Sequence, residues 1–192
     1  VSPLPQEKDT KVAYRKIVTG LFISADGVVG TPEQWTFQHM TDEAGAAIAG
    51  MIADADTLLL GRRTYEEFAR YWATQSGPMA DALNGIRKLV ASTTLTAAGW
   101  SNSEILDGDL AQRLAALKDA PGRNINISGS ISIVQTLLQA GLIDDLHLMV
   151  FPIVLGGGTR LFPEQGKRVD MTLAHTRTYD TGVVHLHYRL GG

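Results

Sequence analysis

The residues of this chain best suited to chemistry stand at turns. Gly61-Arg62-Arg63-Thr64 closes the apolar run Thr57-Leu58-Leu59-Leu60 and opens a helical pattern. A glycine lets backbone approach an anion closely, and two guanidiniums add permanent charge with bidentate geometry. The first turn of a helix contributes unpaired amides and the positive end of its dipole. That combination suits a phosphate. Two more turns share the strand-to-helix grammar: Ser92-Thr93 after residues 87–91, and Ser128-Gly129-Ser130 after residues 124–127. Ser92 and Thr93 could hydrogen-bond a ribose or its 2′-phosphate, and Gly129 with Ser130 could cradle a pyrophosphate. Each turn also has a plain structural reading. Thr64 and Glu67 have the spacing of a capping box, and Ser130 that of a helix cap. Three such turns in one chain, one with paired arginines, point to a phosphorylated dinucleotide.

Other candidates face the substrate side. Asp26, in the turn Ser24-Ala25-Asp26-Gly27, could contact substrate or nicotinamide and assist protonation; it reads equally as a turn-forming aspartate. Trp35 could stack on a flat heterocycle or pack in the core. His185 and His187 fall on one face of a strand without a third ligand at a metal-binding spacing, so they read as structural and no metal is expected. Gly156-Gly157-Gly158 has no clear helix after it and reads as a turn between sheet-edge strands. The chain has no cysteine, which removes disulfides, thiolate zinc sites and cysteine nucleophiles. No G-x-S-x-G elbow is present.

These turns need elements to hold them. Residues 12–24, 57–60, 87–91 and 124–127 read as strands, and helices are expected over residues 41–53, from Thr64, from near Asp109, and up to Gln139. Residues 146–155, 171–179 and 183–190 read as late strands, the last two joined through Asp180-Thr181-Gly182. Alternating strands and helices followed by hairpin strands predict an α/β protein with a mostly parallel sheet, antiparallel edge strands and helices on both faces. At 192 residues and a formal net charge of −3, one domain fits and general nucleic-acid binding has no electrostatic support. No apolar run reaches the roughly 20 residues of a membrane span. The polar segment 1–11 is expected to lie outside the fold as an extension, with residues 12–192 forming the domain in a cytoplasmic protein.

Taken in order, Ser24-Ala25-Asp26-Gly27, Leu60-Gly61-Arg62-Arg63-Thr64-Tyr65-Glu66, Ile127-Ser128-Gly129-Ser130, residues 141–148 and residues 152–158 resemble the dihydrofolate-reductase-like superfamily. Within it the chain is similar to stand-alone forms of the C-terminal reductase domain of the riboflavin-biosynthesis deaminase–reductase. The resemblance implies a three-layer α/β/α fold, NADPH as hydride donor, a small heterocyclic or imine-like substrate, and a homodimer formed through the sheet. It implies that Gly61, Arg62, Arg63 and Thr64 hold cofactor phosphates, that Ser92 and Thr93 lie near the adenosine 2′-phosphate, and that Gly129 and Ser130, following Ser128, lie beneath the pyrophosphate and nicotinamide. Trp35 falls where relatives place a tryptophan at the substrate. Two alternatives remain on the same fold: a non-catalytic nucleotide- or flavin-binding protein, and a dihydrofolate reductase. The latter calls for a carboxylate on the first helix, where Asp42 and Glu43 stand outside the usual pattern.

Overall fold

The computed structural model describes residues 14–191. Eight strands form one sheet in the order β4-β3-β2-β5-β1-β6-β8-β7. β1 (Ile17–Ser24), β2 (Ala55–Gly61), β3 (Arg87–Ala91), β4 (Ser103–Leu106), β5 (Asn124–Gly129) and β6 (Asp145–Phe151) are mutually parallel. β7 (Met171–Thr178) and β8 (Val184–Leu190) add the expected antiparallel edge.

Both faces of the parallel part of the sheet carry packed helices. Ile17, Leu21, Ile23, Leu59, Leu89, Ile125 and Ile127 pack with Leu114 of α4 (Leu110–Lys118) and with Ile133, Val134, Leu137 and Leu138 of α5 (Ile131–Gln139). On the opposite face Leu58, Leu60 and Val90 pack with Tyr65 of α2 (Arg62–Trp72) and Leu83 of α3 (Pro78–Gly85), while Ala44 of α1 (Asp42–Ala53) packs near Met149 and Phe151. Strand periodicity dictates this split, because alternate residues of a buried strand face opposite layers. Burying a leucine such as Leu137 contributes roughly 1.5–3 kcal/mol of transfer free energy.

Among the described residues, the buried side-chain polar atoms other than the Tyr179 hydroxyl have hydrogen-bond partners. Lys88, fully buried on β3, donates to the carbonyls of Asn84, Ile86 and Ser101 and sits 4.3 Å from the Trp100 ring centroid. Burial pushes its ammonium down to about 8. The Trp100 amide donates to the Tyr65 hydroxyl at 2.9 Å, which ties this segment to α2.

Several boundaries differ from expectation. β6 ends at Phe151 rather than continuing to Leu155, because Pro152 has no amide to extend the ladder. Helix α2 begins at Arg62 with Gly61 as its cap residue, and no side chain caps it. The expected capping box of Thr64 and Glu67 is therefore absent: Thr64 lies inside the first turn. Ser130 precedes α5 but its side chain does not cap that helix either; its hydroxyl pairs with Ser132 at 2.9 Å. α3 and β4 were not anticipated; both are short and weakly periodic. The first strand begins at Ile17; its expected start at Val12, the extension 1–11 and Gly192 lie outside the described residues.

Candidate functional site

From β1 the chain moves to one side of the sheet through β2, β3 and β4, returns by β5, and crosses to β6 on the other side. Open α/β sheets bind ligands at the carboxyl ends of strands where such a reversal leaves a crevice. The predicted turns all stand at that end, after β2, β3 and β5.

Two of them touch. Leu60 pairs with Gly129 across β2 and β5. A Cβ built on Gly61 would lie 2.6 Å from Ser130 Oγ, and one built on Gly129 would lie 2.9 Å from Thr64 Oγ1. Each glycine thus makes room for the hydroxyl side chain of the other turn. Gly129 also has φ 127°, a conformation that disfavours any side chain. The peptide between Gly129 and Ser130 is cis. Ser128, just before, donates its hydroxyl to Asn126 Oδ1 at 3.2 Å.

The third turn joins through Arg62. Its Nε pairs with Glu66 at 2.8 Å, and its Nη1 donates to Thr94 Oγ1 at 2.7 Å. Ser92 Oγ accepts the amides of Thr94 and Leu95 at 3.2 and 2.9 Å, shaping the turn. Arg63 and Thr93 are exposed. Thr94 was not singled out from sequence, although it continues the Ser92-Thr93 polar run. The structure therefore brings Gly61, Arg62, Thr64, Ser92, Gly129 and Ser130 to one sheet end.

The substrate-side candidates behave differently. Trp35 is buried, its Nε1 donates to the Gly30 carbonyl at 3.0 Å, and its ring meets Phe151 edge-on at 5.4 Å. It packs as a core aromatic, one of the two readings open to it from sequence. Asp26 is occupied as well. Its carboxylate accepts from Ser24 Oγ at 2.6 Å and from the amides of Leu155 and Gly156 at 3.1 and 2.9 Å. The Ser24 hydrogen bond, then the Leu155 amide, hold its carboxyl down to about 2. These bonds favour the ionised carboxylate near neutrality. Glu43 pairs with Arg177 at 2.7 Å and Asp42 is exposed, while the buried residue of α1 is Ala44. No first-helix carboxylate is buried toward a substrate.

The histidines of β6 and β8 contact one another and Asp145. His187 Nε2 meets Asp145 Oδ1 at 2.6 Å, and His147 Nδ1 meets His185 Nε2 at 3.0 Å. Burial first, then neighbouring imidazoles, lowers His147 to about 4 and also lowers His185. Among the described residues no group of three or more His, Asp or Glu side chains is arranged to hold a metal. Nor is any described helix long and apolar enough to cross a membrane.

The architecture is that of an α/β protein whose turns after β2, β3 and β5 gather at one end of the sheet. The chain belongs to the RibD C-terminal domain family, whose sequence model matches residues 15–185. It is 27% identical over 185 residues to the uncharacterized protein YyaP of Bacillus subtilis (strain 168), covering 93% of this chain and 96% of that one. Its fold matches the crystal structure of a protein assigned to riboflavin biosynthesis from Shewanella sp. PV-4, with a TM-score of 0.77, 20% identity, and coverage of 92% of this chain and 99% of that one. It also matches the riboflavin biosynthesis reductase Rib7 of Saccharomyces cerevisiae, with a TM-score of 0.59, 14% identity, and coverage of 93% and 91%.

Proposed function

We propose that this protein is an NADPH-dependent reductase that transfers a hydride to a small heterocyclic or imine-like substrate, in a reaction related to 5-amino-6-(5-phosphoribosylamino)uracil reduction. Family membership supports the reductase class. The observation that carries the cofactor is the mutual fit of Gly61 with Ser130 and of Gly129 with Thr64, which packs two helix-opening turns against each other.

The residues fit a phosphorylated dinucleotide. Helix α2 opens without a side-chain cap, leaving first-turn amides for a phosphate. Arg62, exposed Arg63, Ser92, Thr93 and Thr94 supply charge and hydroxyls for a 2′-phosphate, with Ser128, Gly129 and Ser130 beneath the pyrophosphate. The bound cofactor supplies the hydride; the protein's work is binding and orientation, so catalysis rests chiefly on positioning. With Asp26 held ionised, protonation of the substrate falls to solvent.

Titration with NADPH and NADH tests this reading. Saturable binding with preference for NADPH is expected, and binding of neither would overturn it. A homodimer through the sheet edge is part of the proposal. β7 is exposed along its length and carries Met171 and Leu173 among the exposed large apolar residues. A monomeric mass by light scattering would overturn that part. Cytoplasmic location is proposed with it, and fractionation tests it.

A second reading, a nucleotide-binding protein without turnover, is favoured by one observation: the Asp26 carboxylate is committed to backbone amides. Tight NADPH binding with no oxidation across pterins, pyrimidines and quinones would select it.

A further inference from the structure

The turn after β1 and the loop after β6 are stitched into one unit. Ala25 N donates to Ile153 O at 2.9 Å, Val29 N to Thr159 O at 2.8 Å, and Leu161 N to Gly27 O at 3.1 Å. Val28 and Arg160 form an antiparallel bridge. A Cβ on Gly158 would lie 2.8 Å from Val28 Cγ1, so the loop seats closely on the turn. From the other side Gln135 Nε2, on the helix opened by Ser130, donates to the carbonyls of Arg160 and Leu161 at 2.9 and 3.2 Å.

Within this clamp Gly156, Gly157 and Gly158 are exposed and carry no side chain to hold them. Glycine has the most backbone freedom to lose, so such a segment keeps one conformation only if something fastens it. Asp26 does the fastening at its leading end. Its carboxylate takes two successive amides, Leu155 and Gly156, together with the Ser24 hydroxyl. Arg160 closes the far end, donating to the Asp26 carbonyl and standing 3.8 Å from its carboxylate. An ionised carboxylate suits this task, because charge-assisted bonds to amides are stronger than neutral ones.

We propose that Asp26 is a positioning residue that fixes the triple-glycine segment as a wall of the nucleotide crevice, at the sheet end shared with Gly129 and Ser130. The role rests on the NADPH reading given above. In this role Asp26 acts through the loop.

The test uses the full chain with Asp26→Asn, which keeps size and removes charge, and with Arg160→Gln, which loosens the opposite end. Hydrogen exchange at Leu155 and Gly156 is measured beside NADPH affinity. Asp26→Asn is expected to lose protection at those two amides while β2 and β5 stay protected. NADPH affinity is expected to fall about tenfold, as for a crevice wall that is no longer preorganised. Arg160→Gln should shift both readouts in the same direction by less. Retained protection in Asp26→Asn would overturn the latch, and lost protection with unchanged affinity would overturn the wall. If the unaltered protein binds no NADPH, the cofactor reading fails and takes this role with it, an outcome distinct from either.

Discussion

Thr64 and Gly129 share one small space: a side chain on Gly129 would begin 2.9 Å from Thr64 Oγ1. The contact joins the start of α2 to the end of β5, two turns separated in sequence and adjacent through the pairing of Leu60 with Gly129.

Gly129→Ala should therefore fail twice, by collision with Thr64 and by the strain of φ 127°. A loss of roughly 1–3 kcal/mol in folding stability is expected from overpacking and strained backbone. Gly61→Ala should act in the same direction through Ser130 Oγ. Denaturant unfolding measures both, and neutrality in the two variants would show that the turns do not meet as described.

Arg62→Ala should barely alter stability, by about 0–1 kcal/mol, because its pair with Glu66 is exposed. Its effect should appear in ligand preference. Removing a cation from a 2′-phosphate site is expected to weaken NADPH about tenfold while sparing NADH. Parallel isotherms for the two nucleotides check this, and an equal loss for both would place Arg62 away from the 2′-phosphate.

Acid sensitivity should trace to the histidines on β6 and β8. His147 lies at about 4 in the folded protein, below the ordinary histidine value of 6.5, chiefly through burial. Between those values the unfolded chain binds more protons, so stability falls as pH drops from 6.5 toward 4. His185, lowered by the same cause, adds to the slope. Replacing His147 by Asn should flatten the curve by up to about one proton. An unchanged slope by thermal unfolding at stepped pH would contradict the assignment.

Tyr179 offers a test on stability alone. Among the described residues its hydroxyl is a buried side-chain atom without a hydrogen-bond partner. Tyr179→Phe removes that oxygen from a cluster containing Trp35, Phe151 and Val183. An unpaired buried polar group costs about 1–3 kcal/mol, so the variant should be as stable as the parent or more so. Destabilisation by more than about 1 kcal/mol would show that the hydroxyl has a partner.

Local signals made much of this legible from sequence. Apolar runs ending in small or polar residues located the three turns, and Asp109 caps α4 by accepting the Gln112 amide at 2.8 Å. Long-range contacts hid the rest. Thr64 and Glu67 match a capping pattern, yet Thr64 faces Gly129 on another strand. Asp26 matches a turn-forming residue, and its distant partners lie at Leu155 and Gly156. Trp35 has a buried neighbour, Phe151, far along the chain. Nothing in spacing alone announces such partners. Arg62 was visible as charge, but its link to Thr94 needed β2 and β3 to be neighbours.

The turns at Gly61, Ser92 and Gly129 are proposed to hold a phosphorylated dinucleotide together. Calorimetric titration of the unaltered protein with NADPH and with NADH, at matched ionic strength, tests it most directly. Saturable binding of NADPH with at least about tenfold preference over NADH is expected. No binding of either nucleotide, or tighter binding of NADH, would contradict it.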